Sequence, residues 1–189
     1  MLGFISLTFT FDGKGAEIVH SILENEEAST SSSMFLQPFE KVLNMSKIVP
    51  LISSGTAGPL GVLHLPRMWQ KVSLEAAGKI ADGYPGIGAG YDSMVVDALG
   101  LSADAVRSFI ADSKPTYPQL EAWIKEQPGV KLDDDTISAL NASITGYIHD
   151  DATRQAILSE NGLADGDPKD AINLNNLDDW FAFHASEIA

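Results

Sequence analysis

From Pro50 onward the chain falls into short runs of helical periodicity, divided by Gly, Pro, Ser and Asn. Leu65, Met68, Trp69, Val72, Ala76 and Ile80 recur at three- and four-residue intervals, which predicts an amphipathic helix beginning near Pro66. Arg67, Lys71, Glu75 and Lys79 recur every fourth residue beside that stripe and read as a charged ridge. Glu75 and Lys79 stand in the favourable order for a helical ion pair, worth about 0.2–0.5 kcal/mol. Gly83 to Gly90 ends this helix. Asp92 is placed to cap a short helix that Gly100 stops, and Ser102 to cap the next, with Ala105, Val106, Phe109 and Ile110 on its buried face.

Beyond Pro115 and Pro118 the pattern continues in the same style. Leu120, Trp123 and Ile124 mark a helix closed by Gln127-Pro128-Gly129. Asp133, Asp134 and Asp135 suit a helix N-terminus, where carboxylates meet exposed amides, and Ile137, Leu140, Ile144 and Ile148 follow as its apolar face. Asp150 caps a helix through Asn161 with Gly162 as its stop. Asn173-Leu174-Asn175-Asn176 reads as a turn into a last helix from Leu177 to Ile188. No strand signal follows residue 45. Roughly six short helices with brief breaks predict a compact, all-α, multi-helix single domain.

The first 44 residues differ. Met1 to Phe11 alternates like a short strand, Asp12 to Gly15 is a turn, Ala16 to Asn25 suits a short helix, and Glu26 to Ser33 is a polar, low-complexity linker. This predicts a poorly structured N-terminal extension, residues 1–44, ahead of a helical domain, residues 45–189. Met45 opens MSKIVP, which has the look of a natural start, so residues 1–44 read as an upstream extension.

Charge changes the picture of partners. The net charge is −14. Two Lys face six acids in residues 1–44, seven basic groups face eight acids in residues 45–128, and three face twelve in residues 129–189. Such a balance repels phosphate backbones and argues against nucleic-acid binding. No apolar run approaches the roughly 20 residues of a membrane-spanning helix, and the first residues lack the basic start and cleavage site of a secretory signal. Cysteine is absent, which excludes a disulfide framework and thiolate chemistry and fits a cytoplasmic setting.

The candidate chemistry is sparse. Gly86, Gly88 and Gly90 suggest a phosphate loop, but the run follows a helix, its third glycine is misplaced for a dinucleotide fingerprint, and Asp92 is close by. A packing loop is the better reading, with Tyr84 and Tyr91 flanking a pocket. Arg67 and Lys71, one turn apart beside Gln70, are read either as an anion clamp or as a solvated ridge pairing with the acidic C-terminal third. Asn141 and His184 occupy core-facing slots and need partners or a cavity. His149-Asp150-Asp151 is the nearest approach to a metal or acid–base motif. Its plainer account is Asp150 as a helix cap with Arg154 as ion partner, and only His64, His184, Asp178 and Asp179 are left to complete a metal site. Ser53-Ser54-Gly55 is not a nucleophile elbow.

Five segments carry a resemblance: GPLGVLHLPRMWQK, GYPGIGAGYD, FIADSKPTYPQLEAWI, LNASITGYIHDDATRQAIL and DAINLNNLDDWFAFH. In this order they resemble a bacterial domain-of-unknown-function family, number five thousand and sixty-nine, over residues 45–189. The resemblance implies a bacterial, cytoplasmic protein with a single helical domain. It brings no activity, cofactor or catalytic residue.

The expectation is therefore a cytoplasmic helical protein with a pocket that binds, and in the stronger form of the reading transforms, a small polar or anionic metabolite. That pocket is expected where the glycine run, Arg67 and Lys71 meet the region of His149 and His184. Its ligand-binding candidates are Arg67, Lys71, Tyr84, Tyr91, Asp92, Asn141 and Tyr147, and its acid–base candidates are His149, His184 and Asp150. An alternative is a non-catalytic protein–protein interaction module. It would be favoured by an exposed apolar patch around Trp69, Trp123 or Trp180, all of which fall at stripe positions expected to be core. A second alternative is a metal-dependent hydrolase built on His149.

Overall fold

The computed structural model describes residues 47–166 and 168–189. The strand, turn, helix and linker expected within residues 1–44 lie outside them. Among the described residues seven helices follow one another: α1 Leu65–Ala76, α2 Tyr91–Leu99, α3 Ala103–Ser113, α4 Tyr117–Lys125, α5 Asp134–Thr145, α6 Asp151–Glu160 and α7 Ala171–Glu187. Among the described residues there is no strand, only isolated bridges such as Ile48 to Ile80. The fold is all-α.

Helix α1 is the hub, touching α2, α3 and α4, while α2 packs on α5 and α6 on α7. Its apolar stripe explains this position. Leu65, Met68 and Val72 are buried on it and meet Val95 and Leu99 of α2, Val106 and Ile110 of α3, Leu120 and Ile124 of α4, and Ile144 of α5 in one core. Burying side chains of this size stabilises the fold by about 1.5–3 kcal/mol each. A smaller cluster of Ile157, Leu158 and Leu174 joins α6 to α7.

Local chemistry sets the helix starts. Ser102, Asp133 and Asp150 accept from the amides of Ala105, Thr136 and Thr153, satisfying donors that a helix N-terminus leaves free. Asp170 does the same for Asn173 at 2.9 Å, so α7 begins at Ala171 and not near Leu177. The polar Asn173–Asn176 stretch is helix rather than turn, because this cap and the packing of Leu174 outweigh its weak intrinsic propensity.

Other expectations also give way. Helix α1 stops at Ala76, which leaves Lys79 beyond its end, and the Glu75–Lys79 pair does not form. Glu75 Oε1 accepts from the Gly86 amide instead, at 2.9 Å. Asp92 is not a cap: Gly90 precedes α2, and Asp92 is buried one residue into it. Arg67 and Lys71 do not form a solvated ridge; both are buried. Trp69 and Trp123 pack against the core, Trp123 stacked on Phe109 with centroids 4.6 Å apart. Trp180 does not, and is 56% exposed on α7 beside exposed Phe181.

Gly100 closes α2 with φ at 70°, and a Cβ there would lie 3.1 Å from the Gly129 carbonyl. Left-handed backbone costs a non-glycine residue roughly 1–2 kcal/mol. Gly100→Ala should therefore lower the urea midpoint by at least that equivalent with an unchanged slope, as read by circular dichroism. A neutral result would show that the α2–α4 junction relaxes freely.

Candidate functional site

The site is assembled on the first two turns of α1. His64, Arg67 and Lys71 are spaced to fall on one side of the helix, away from the Leu65–Met68–Val72 stripe. His64 immediately precedes α1 with φ at 66°, an unusual conformation for a residue with a Cβ. Its amide donates to the Thr56 carbonyl at 3.1 Å, which holds the 53–56 loop against the helix start.

Two buried ion pairs form the floor. Lys71 Nζ donates to Asp92 Oδ2 at 2.5 Å, and the Gly88 amide donates to the same oxygen at 2.9 Å. Asp92 Oδ1 lies 2.9 Å from His64 Nε2. Arg67 makes a two-pronged pair with Asp179 of α7, at 2.6 and 2.9 Å, and also donates to the carbonyls of Pro50 and Ile52.

This wiring fixes the charge states. Burial works against the Asp92 carboxylate, but His64 and Lys71 outweigh it and hold the carboxyl below its usual range. Burial dominates at His64 and lowers its pKa despite Asp92, so the ring is neutral near pH 7. An ionised Asp92 can only accept, so Nε2–H donates to it and Nδ1 is the bare nitrogen. His64 is only 3% exposed, and Nδ1 has no hydrogen-bond partner among the described residues. Ser54 Oγ, on the tethered loop, is buried and unpartnered in the same way.

Above this floor opens a cleft of about 290 Å³, at the small end for ligand sites. His64, Tyr91, Tyr147 and His149 run along it ring against ring, with successive centroids 5.3, 5.5 and 5.7 Å apart. The Tyr91 hydroxyl donates to the Ile144 carbonyl at 3.0 Å, and burial, with Asp170 and Tyr147 nearby, pushes its pKa up to about 12. Tyr84 is likewise raised, by burial and then by Asp179 and Asp178. Asn175 Oδ1 lies 2.8 Å from Nε2 of His149. Asp178 also lines the cleft; burial first, then Asp179 and Glu160, raise its carboxyl. Among the described residues it has no ion-pair or hydrogen-bond partner.

The structure thus brings Arg67, Lys71, Tyr84, Tyr91, Asp92, Tyr147 and His149 together on one cleft. Asn141 stands apart: it accepts from the Leu63 amide at 2.9 Å and donates to the Gly61 carbonyl at 2.8 Å, a clamp on the loop before α1. Asp150 caps α6, and Arg154 pairs with Asp165 and Asp151 rather than with it. His184 is exposed near the end of α7 and does not line the cleft. The His149-Asp150-Asp151 run does not converge either. Among the described residues no three His, Asp or Glu side chains are grouped to hold a metal ion, which leaves the hydrolase reading without a ligand set there.

Arg67 is no anion clamp, because a carboxylate and two carbonyls already occupy its guanidinium. The glycine run is no phosphate cradle either: its Gly86 and Gly88 amides serve the protein's own carboxylates. Sequence reasoning missed Ser54 and Asn175 as lining groups and considered His64, Asp178 and Asp179 only as metal ligands. The missed signal was Asn175, Asp178 and Asp179 at helical spacing, hidden by reading Asn173–Asn176 as a turn.

One family model, described as Domain of unknown function (DUF5069), matches residues 54–180. The chain belongs to this family. Every lining residue of the cleft, from Ser54 to Asp179, falls within the DUF5069 match. No curated protein matches the chain.

A neutral buried His64 makes stability depend on pH in a definite direction. Its folded pKa lies below the unfolded value, so between the two the unfolded chain binds the extra proton. Stability is present above about pH 6.5 and is lost as pH falls toward the folded pKa. Asp92 adds a loss of the same sign further down, below its unfolded value near 4. His64→Asn, which tolerates the left-handed backbone, should flatten the fall in melting temperature between pH 7 and pH 5. Equal slopes in the two proteins would show that His64 is not held neutral.

Proposed function

We propose that the chain is a small-molecule-binding domain whose cleft takes a small polar metabolite in contact with His64 and Ser54. The observation that carries this is the pair of buried, unpartnered atoms, His64 Nδ1 and Ser54 Oγ, in a cleft whose other floor groups are saturated. An unsatisfied buried polar group costs about 1–3 kcal/mol, so a ligand that satisfies both recovers that energy on binding. The rim groups His149, Asn175 and Asp178 supply orientation. Transformation of the ligand would run through Nδ1, since an imidazole oriented by a carboxylate has the form of a general base.

The test is a fragment screen read by amide chemical shifts. Hits should perturb residues around 54, 64, 84–92, 147–149 and 175–179, and His149→Ala should weaken them about tenfold, the equivalent of one lost hydrogen bond. Hits that cluster elsewhere, or that ignore His149→Ala, would sink the reading.

A second reading, an interaction module, is favoured by one observation. Trp180 and Phe181 are exposed on α7, and Ile188, two turns beyond Trp180, is 64% exposed. Large aromatic side chains of this kind anchor protein interfaces. If the face is used between copies, the sedimentation coefficient should rise with concentration and Trp180→Ser should abolish the rise. A concentration-independent monomer would remove self-association from consideration.

A further inference from the structure

The polar groups of the cleft are biased in a way that narrows the ligand. The two cations are committed, Arg67 to Asp179 and two carbonyls, Lys71 to Asp92. Their partners cancel their charge. The charge that remains toward the cleft is Asp178, with no ion pair among the described residues; His64 Nδ1 in the neutral ring only accepts, and the hydroxyls of Tyr84 and Tyr147 and the Asn175 amide are uncharged. Ser54 Oγ both donates and accepts. A lining whose uncompensated charge among the described residues is a carboxylate disfavours an anion and favours a cation, and His64 Nδ1 favours a ligand that brings an O–H or N–H donor. The Tyr147 ring on the same cleft adds a π surface that attracts cations.

Resting on the cleft-binding reading, we infer that the occupant is a small protonated amine that also carries hydroxyl groups, an amino alcohol. Its ammonium pairs with Asp178 beside Tyr147 and His149. One hydroxyl donates to His64 Nδ1 and a hydroxyl oxygen or hydrogen meets Ser54 Oγ. The volume of about 290 Å³ corresponds to about ten water-sized groups, enough for such a molecule. Both anchoring histidine and serine are almost wholly buried, so this lining is built into the fold and not improvised by surface side chains.

The experiment uses the full chain and four probes of similar size: 2-amino-1,3-propanediol, glycerol, glycerate and isopropylamine. Binding is read by amide shifts and by melting temperature at pH 7. The amino diol should bind in the cleft at least about tenfold more tightly than glycerol, as a charge-assisted contact of about 1.4 kcal/mol requires. Glycerate should be the weakest, and isopropylamine, lacking the hydroxyls, should lose a similar factor. Asp178→Asn, which removes charge at a half-exposed position, should bring the amino diol down to the glycerol level while leaving glycerol unchanged. Ser54→Ala should weaken the amino diol and glycerol alike. Cleft binding that favours glycerol or glycerate, or that ignores Asp178→Asn, overturns the amine and leaves the cleft reading standing. If no probe of any charge perturbs the cleft, and fragments of other chemistry do not either, both fall.

Discussion

The buried pair between Arg67 and Asp179 is the constraint on which the site depends. It joins residues more than a hundred positions apart, and the same guanidinium holds the carbonyls of Pro50 and Ile52. Three segments meet there: the loop before α1, α1 itself and α7. Burying two charges is expensive, and a well-packed apolar replacement is often as stable, whereas removing one partner alone costs about 3–5 kcal/mol. The pair is therefore poorly explained as a source of stability. It is better explained by position, because it sets α7 so that Asn175 and Asp178, one turn before and one residue before Asp179, line the cleft.

Much of this was legible in the sequence for a physical reason. Core helices announce themselves through apolar spacing, so Leu65, Met68, Val72, Ile110 and Ile144 are readable without a structure. The same spacing also misleads. Arg67 and Lys71 carry charge and look solvated, but they are buried because acids from α2 and α7 reach them. A periodicity argument sees one helix at a time, and a long-range partner is invisible to it.

The start of α7 shows the converse error. A composition rich in Asn, Asp and Gly argues for a turn, but the side-chain cap supplied by Asp170 starts a helix there instead. With the helix begun at that point, Asn175, Asp178 and Asp179 form a polar strip beside Leu174, and half the cleft would have been legible. Trp180 illustrates the limit of stripe reasoning, since its helical spacing does not bring it into the core.

The backbone of His64 bears on what the cleft is for. A left-handed residue before a helix is natural for glycine or asparagine, and a β-carbon there costs roughly 1–2 kcal/mol. Its amide bond to Thr56 would survive substitution by glycine, so the loop geometry does not require an imidazole. The Nε2–Asp92 bond offsets part of the strain, because Lys71 and the Gly88 amide both bond Oδ2 and leave Oδ1 to His64. Beyond that bond the imidazole adds a buried acceptor nitrogen on a residue that lines the cleft, held neutral by burial and oriented by a carboxylate. The strain at His64 therefore serves two ends, the buried Asp92 carboxylate through Nε2 and, through Nδ1, an acceptor that no scaffold contact among the described residues uses.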